Sequence, residues 1–387
     1  MLNGLRNGRR ALALERGRRA LARIDLPETD EEGLRTAVVS VFAMLARDIV
    51  LPLSVRGTGR PMLDRIVADA GIARIGRDQL EAIALTSAAP KHNWRRIAAM
   101  RLLAAGAHEG LVPLLRRTLD DLDPEIVGAS LALLGRVPEP AAAAALVEAL
   151  KGSKYAPSRV ATYLDQFPLD IADLFVPLLH HPDANVRYWG ATLLSRGGGS
   201  SVAPSLQALT EDRSPLVRKA AVVTLARIDK AAALPAARAL VADEVWYVRA
   251  HATRALGDSG GPDVANEIAP LLADREWWVR LAAKETLQTM GEEVWAVLVP
   301  YLDHADPFAR NGAAEVLQNI GILDSLIVLE AATARPSATK LDMLRKIASA
   351  GGTRMTEALL ERVDVDARPR VRTLLQTLGL APTEASL

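Results

Sequence analysis

The sequence predicts an all-α fold, an α-solenoid built as a superhelical stack of about ten two-helix units, none large enough to enclose a core alone. Three observations predict it. Arg187, Arg218, Arg249, Arg280 and Arg310 recur at intervals of 31, 31, 31 and 30 residues, in segments such as DRSPLVRKAAVVTL and DREWWVRLAAKETL. Fixed columns travel with these arginines. Three residues on stand Gly190, Ala221, Ala252, Ala283 and Ala313; seven on stand Leu194, Leu225, Leu256, Leu287 and Leu317; one before stand Val186, Val217, Val248, Val279 and Ala309. Composition agrees, since 50% of the 387 residues are hydrophobic and only 4% aromatic. That bias suits helices packed through small and aliphatic side chains.

The chain opens with a basic segment. Residues 1–24 hold seven arginines and one glutamate, with Leu5, Leu12, Leu14, Leu21 and Ile24 forming an imperfect apolar face. Such a helix can lie on anionic lipid or meet an acidic partner, or serve as a solvated capping helix or frayed tail; Gly4, Gly8 and Gly17 weaken the helix, which favours the cap or tail. Residues 1–60 form an N-terminal helical region. Within it, the apolar stretch 38–55 carries Arg47 and Asp48 at its middle, so it reads as a buried helix rather than a membrane span. RGTGRP at 56–61 interrupts the pattern, and residues 61–89 form a degenerate repeat or a cap.

The solenoid is expected over residues 90–380, followed by a tail at 381–387. WRRIAAMRLLAAG fits the second helix of a unit with Arg95 as its marker, and DPEIVGASLALLG places Val127 where arginine belongs. The register then predicts degenerate units near Pro157, Lys340 and Val371. Positions −1, +3 and +7 about each arginine share one helical stripe, so the second helix buries one face. The small +3 residue lets a neighbouring helix approach. First helices are segments such as DLFVPLLHH and NEIAPLLAD. Pro113, Pro204 and Pro235 fall early in them, whereas Pro177, Pro270 and Pro300 lie deeper and should bend them. GGGSS at 197–201 and GDSGGP at 257–262 mark connections.

The pattern D-x4-V-R-x2-A-x3-L, met by Asp212 to Leu225, Asp243 to Leu256 and Asp274 to Leu287, resembles HEAT repeats, specifically the short variety named after the phycobilisome lyases. The resemblance implies that the aspartate sits in the turn between the helices and forms a ladder with the arginine opening the second helix, which lines the concave side. Carried over, the pairs are Asp212/Arg218, Asp243/Arg249 and Asp274/Arg280, with Arg187 and Arg310 in the same column. His181 and His304 occupy the aspartate column of their units, where Asp183 and Asp306 are expected to substitute.

Little in the chain points to chemistry. There is no cysteine, which excludes disulfides and thiolate sites and suits a reducing, cytoplasmic setting. The six histidines are scattered; His181 and His304 lie four repeats apart, on the order of 40 Å at helix-packing distances, too far to share an ion. The HEAT-like deoxyhypusine hydroxylase holds iron through several His-Glu pairs, but here only His108–Glu109 occurs. No nucleophile elbow, phosphate loop or metalloprotease motif is present. No catalytic, metal or cofactor site is therefore expected, and no enzymatic activity. The net charge of +1 and the mixed outer columns (Tyr188, Lys219, Ala250, Leu281, Asn311; Thr192, Val223, Arg254, Glu285, Glu315) make a poor phosphate track.

Aromatic residues cluster at one place. Trp246 and Trp277 share column −3; Tyr247, Trp278 and Phe308 share column −2; Tyr188 and Trp189 follow just inside the helix of an earlier unit. These rings are expected to stack along one edge, either covering a turn or forming a partner-binding ridge with Arg254 nearby. The expected function is a protein-binding scaffold or adaptor. Two alternatives stand beside it: a bilin-lyase-like factor whose aromatics and Arg254 cradle a tetrapyrrole, and a nucleic-acid or membrane-surface adaptor led by residues 1–24.

Overall fold

The computed structural model describes residues 2–55, 57–86, 93–106, 109–152, 154–333, 337–351, 360–361 and 363–380, and among them every regular element is a helix. The tail at 381–387, His92 and His108 lie outside the described residues. The chain divides into two compact units, Met1–Leu174 and Phe175–Leu387.

The first unit holds α1 (Leu2–Ala22), α2 (Glu31–Ala43), α3 (Arg47–Ser54), α4 (Pro61–Ile75), α5 (Arg77–Leu85), α6 (Asn93–Ala105), α7 (Leu111–Thr118), α8 (Pro124–Leu134), α9 (Pro140–Lys151) and α10 (Pro157–Asp165). The basic segment is helical and packs on α3. Gly17 has a reason there: a Cβ on it would come within 2.6 Å of Leu53 Cδ1. The glycine that lowers helix propensity is the one that admits α3. The apolar stretch 38–55 is two helices rather than one. Arg47 and Asp48 open α3, where Asp48 lies in the first turn, favoured by the helix dipole, and meets Arg10 Nε at 3.2 Å.

The marker arginine of α6 is Arg96, not Arg95. Arg96 is buried and donates to the Ala84 carbonyl and the Asp121 carboxylate. Arg95 instead lies over the ring of the exposed Trp94. One position is enough to turn a helical side chain from core to surface.

The second unit holds α11 (Ala184–Gly197), α12 (Ala203–Leu209), α13 (Pro215–Ile228), α14 (Lys230–Leu240), α15 (Trp246–Gly260), α16 (Ala265–Ile268), α17 (Trp277–Thr289), α18 (Trp295–Leu298), α19 (Pro307–Asn319), α20 (Ile322–Ala332), α21 (Ala338–Gly351) and α22 (Arg368–Thr377). Helices α11, α13, α15, α17 and α19 carry the recurrent arginines, and each packs on the next. All five leucines of column +7 are 0% exposed, and column −1 is buried throughout. Each buried leucine stabilises by about 1.5–3 kcal/mol, and its helix packs both on the first helix of its own unit and on the neighbouring unit.

The deep prolines change the helix type. Val176–His180, Ala269–Ala273 and Val299–Asp303 are 3₁₀ turns with Pro177, Pro270 and Pro300 as second residues. Proline offers no N–H for an i−4 carbonyl, and the tighter winding takes over at that point. Pro235 lies inside α14, deeper than expected, yet α14 stays α-helical. Nor is GDSGGP wholly a connection: α15 runs to Gly260 and ends at Gly261, whose φ of +56° suits glycine.

Candidate functional site

The turns before α13, α15 and α17 are built alike. In each, the aspartate Oδ1 accepts the N–H two residues on: Ser214 from Asp212, Val245 from Asp243 and Glu276 from Asp274, all at 2.8 Å. This side-chain turn starts the second helix and fixes the carboxylate. The arginine of the preceding unit then grips it. Arg187 Nε and Nη2 donate to Asp212 at 2.7 and 2.9 Å, Arg218 to Asp243 at 2.7 and 2.9 Å, and Arg249 to Asp274 at 2.8 and 2.9 Å.

The ladder therefore runs between units, 25 residues apart, rather than within the pairs Asp212/Arg218, Asp243/Arg249 and Asp274/Arg280. Within a unit the arginine takes only the backbone. Nη1 of Arg218, Arg249 and Arg280 donates to the carbonyls of Asp212, Asp243 and Asp274. The guanidinia of Arg218 and Arg249 thus tie their own turns to the next unit. Burial alone would raise the three carboxyls. The arginine fork, the turn N–H and nearby guanidinium charge outweigh it, holding Asp212, Asp243 and Asp274 below the ordinary range. The carboxylate contact correspondingly raises Arg187, Arg218 and Arg249 against their desolvation.

The rung stops at Arg280. His304 occupies the aspartate place, and its Nδ1 accepts the Asp306 N–H at 3.0 Å, as the aspartate does elsewhere; His181 does the same for Asp183 at 3.1 Å. Neutral imidazole has a single acceptor nitrogen, so none remains for an arginine. Asp183 and Asp306 do not substitute in the ladder. They cap α11 and α19, accepting from Asn185 N and from Phe308 N and Ala309 N. Arg280 Nη1 keeps its two backbone carbonyls, while its guanidinium lies over the Phe308 ring at 4.2 Å. Arg310 Nη1 likewise holds the His304 and Ala305 carbonyls.

The aromatic edge is open on both columns. Trp246, Trp277, Trp278 and Phe308 are 39%, 52%, 52% and 57% exposed, while Tyr247 is half-buried. The stacking is diagonal rather than along a column. Trp246 stacks on Trp278 at 6.3 Å and 21°, whereas Trp277 meets Trp278 edge-on at 4.6 Å. Tyr188 and Trp189 form a separate edge-to-face pair, both half-buried, with Lys219 Nζ 5.5 Å from the Tyr188 centroid.

Arg254 is not an open cradle: Nη2 meets Glu285 Oε2 at 2.8 Å in the next unit. Lys284 reaches Glu315 at 2.7 Å in the same fashion, and Arg238 meets Glu267 with two nitrogens. Sequence reading missed these outer pairs, although a search for opposite charges 31 residues apart finds the first two. His251 is half-buried, and burial, then the charges of Lys219 and Arg254, lower its pKa. No group of three metal-ligating side chains occurs among the described residues, and no helix among them is long and apolar enough to cross a membrane.

The profile described as HEAT repeats matches residues 171–257, 202–288 and 238–318. No curated protein sequence matches the chain. Among solved structures, one of importin beta is 14% identical over 99% of this chain and 64% of its own, with a TM-score of 0.48. One describing Kap95p binding to RanGDP is 15% identical over 97% and 62%, also with a TM-score of 0.48. An engineered protein is 16% identical over 96% and 100%, with a TM-score of 0.35. The chain spans less than two thirds of the importin beta and Kap95p chains. The matched profile over residues 171–318, with the stacked two-helix units beneath it, makes that stretch of the chain an array of HEAT repeats.

Proposed function

We propose that the chain is a non-enzymatic scaffold that captures a protein partner on the edge formed by Trp246, Tyr247, Trp277, Trp278 and Phe308. One observation carries this reading. Four large aromatic side chains from three successive units stand exposed side by side, in a protein that is otherwise poor in aromatics. Isolated exposed apolar residues are ordinary, but a contiguous group rimmed by charge has the composition of an interface centre. Ring-on-ring contact between Trp246 and Trp278 of successive units also holds those two side chains in place before binding, which lowers the entropy lost on association.

The test compares wild type with Trp246→Ala and with Trp277→Ala/Trp278→Ala. Affinity capture from the native cell, followed by reconstitution with the purified captured protein, should show binding lost while the melting curve shifts little. Unaltered binding alongside a large drop in melting temperature would assign the rings to packing alone.

A further inference from the structure

We infer that the groove between α17 and α19 is an acceptor site for one carboxylate side chain of an acidic peptide segment, gripped by the unfilled fork of Arg280. The ladder itself shows what that fork takes. In three preceding units the same arginine, anchored through Nη1 to its own turn, binds a carboxylate through Nε and Nη2. Arg280 keeps the identical anchor, at 2.8 and 3.1 Å to the Asp274 and Arg275 carbonyls. Its Nε and Nη2 have no acceptor among the described residues, because His304 replaces the aspartate and spends its acceptor nitrogen on Asp306 N–H. The scaffold presents the donor half of a rung and leaves the other half to a partner.

The surroundings choose the occupant. The groove has a volume of about 220 Å³ and is lined by Trp277, Arg280, Lys284, Phe308, Asn311 and Glu315, with Leu272, Leu281 and Gly312 at its floor. That is below the roughly 300 Å³ at which small-molecule pockets begin, and suits a single side chain. Glu315 is the one carboxylate in the lining and is answered by Lys284 at 2.7 Å, so Arg280 leaves the groove one positive charge in excess. Phe308 backs the guanidinium at 4.2 Å and holds its plane. Trp277 and Phe308, 52% and 57% exposed, continue outward along the aromatic edge. A chain that seats a carboxylate on Arg280 therefore lays its neighbouring residues on those rings. This deepens the proposed function and rests on reading that edge as a partner surface.

The experiment selects peptides from a random displayed library on the full-length protein, then measures the winners as synthetic, end-blocked peptides by titration. Selected peptides are expected to share one Asp or Glu. Binding is expected to fall about tenfold to a hundredfold when that residue becomes Asn or Gln, and similarly for Arg280→Gln and Arg280→Lys. The lysine variant keeps the charge but not the parallel pair of N–H groups. His304→Asp, which leaves Arg280 intact and supplies an internal carboxylate, is expected to weaken binding and raise the melting temperature.

Peptides that carry no acid and ignore both Arg280 variants, yet fail on Trp246→Ala, would sink the carboxylate site and leave the aromatic edge standing; Trp246 lies outside the groove lining. Acid-dependent peptides that need Arg280 but ignore Trp246→Ala and Trp278→Ala would do the reverse. Enrichment of no peptide would remove both. Displacement of a bound peptide by micromolar free glutamate would overturn the assignment to a peptide.

Discussion

Arg249 and Asp274 stand in consecutive units and are joined by two parallel hydrogen bonds, Nε to Oδ2 at 2.8 Å and Nη2 to Oδ1 at 2.9 Å, while Arg249 Nη1 holds the Asp243 and Glu244 carbonyls. A single side chain thereby fixes a turn, a neighbouring turn and the spacing between them. Such a planar fork is the geometry that lysine cannot reproduce.

Asp243→Asn tests the value of one rung. Asp243 and Arg218 side chains are 6% and 12% exposed, so the amide leaves a nearly buried guanidinium with only the exposed Glu244 carboxylate, 3.7 Å away, as a counter-charge. The expected loss is about 2–4 kcal/mol, read from chemical denaturation followed by helical circular dichroism. A loss within the range of a surface substitution would mean that water reaches the fork and replaces the carboxylate.

Acid should erase the same contribution. For Asp243, burial pushes the carboxyl up, but the Arg218 contact, the Val245 N–H and the charges of Arg218 and Arg249 hold it below its ordinary 3.8. A depressed folded value means the stabilisation is whole above the unfolded value and is lost as pH falls through the folded one. The gap in stability between wild type and Asp243→Asn is therefore expected to be flat above about pH 5 and to close below pH 3.8. A gap that persists at lower pH would assign the effect to packing.

Much of this architecture is legible in the residues themselves. The 31-residue spacing and the invariant leucine column lead directly to stacked second helices, because a helix with one buried stripe must find a neighbour. The ladder was half legible. Asp212 and Arg218 lie near each other in the chain, which suggests a local pair, yet the carboxylate is turned by its own Ser214 N–H towards Arg187. Direction of that kind comes from the turn, and a column alignment does not contain it. The aromatic columns were visible, but their exposure was not. Trp246 and Trp278 stack across units although α15 and α17 both open three residues before their arginines, and both rings remain partly in solvent. His304 stands out in the sequence as an exception in the aspartate column, but its consequence for Arg280 lies in which nitrogen meets which partner.

Gly190→Ala probes the small-residue column. Ala221, Ala252, Ala283 and Ala313 fill the equivalent positions, so alanine is the normal occupant. At Gly190, however, a Cβ would meet Leu178 Cβ at 2.7 Å and the Leu178 carbonyl carbon at 3.3 Å. Helix propensity favours alanine by about 1 kcal/mol, while overpacking costs about 1–3 kcal/mol. The clash involves backbone and prevails, so the variant should unfold earlier in denaturant. Higher stability than wild type would mean that the 3₁₀ turn Val176–His180 shifts to make room.

Glu285→Gln supplies the contrast to the buried rung. Arg254 and Glu285 also join consecutive units, at 2.8 Å, but their side chains are 39% and 50% exposed. Water competes for both charges, and two long side chains lose freedom to meet, so the pair contributes less than about 1 kcal/mol. Screening acts on it as well: raising salt to 1 M, where the Debye length is roughly 3 Å, should remove what remains. Asp243→Asn should keep most of its effect under the same salt, because its fork is shielded by neighbouring units. If the two variants respond alike to salt, the inner ladder is as solvated as the outer one, and the arginine column is a surface decoration rather than the joint between units.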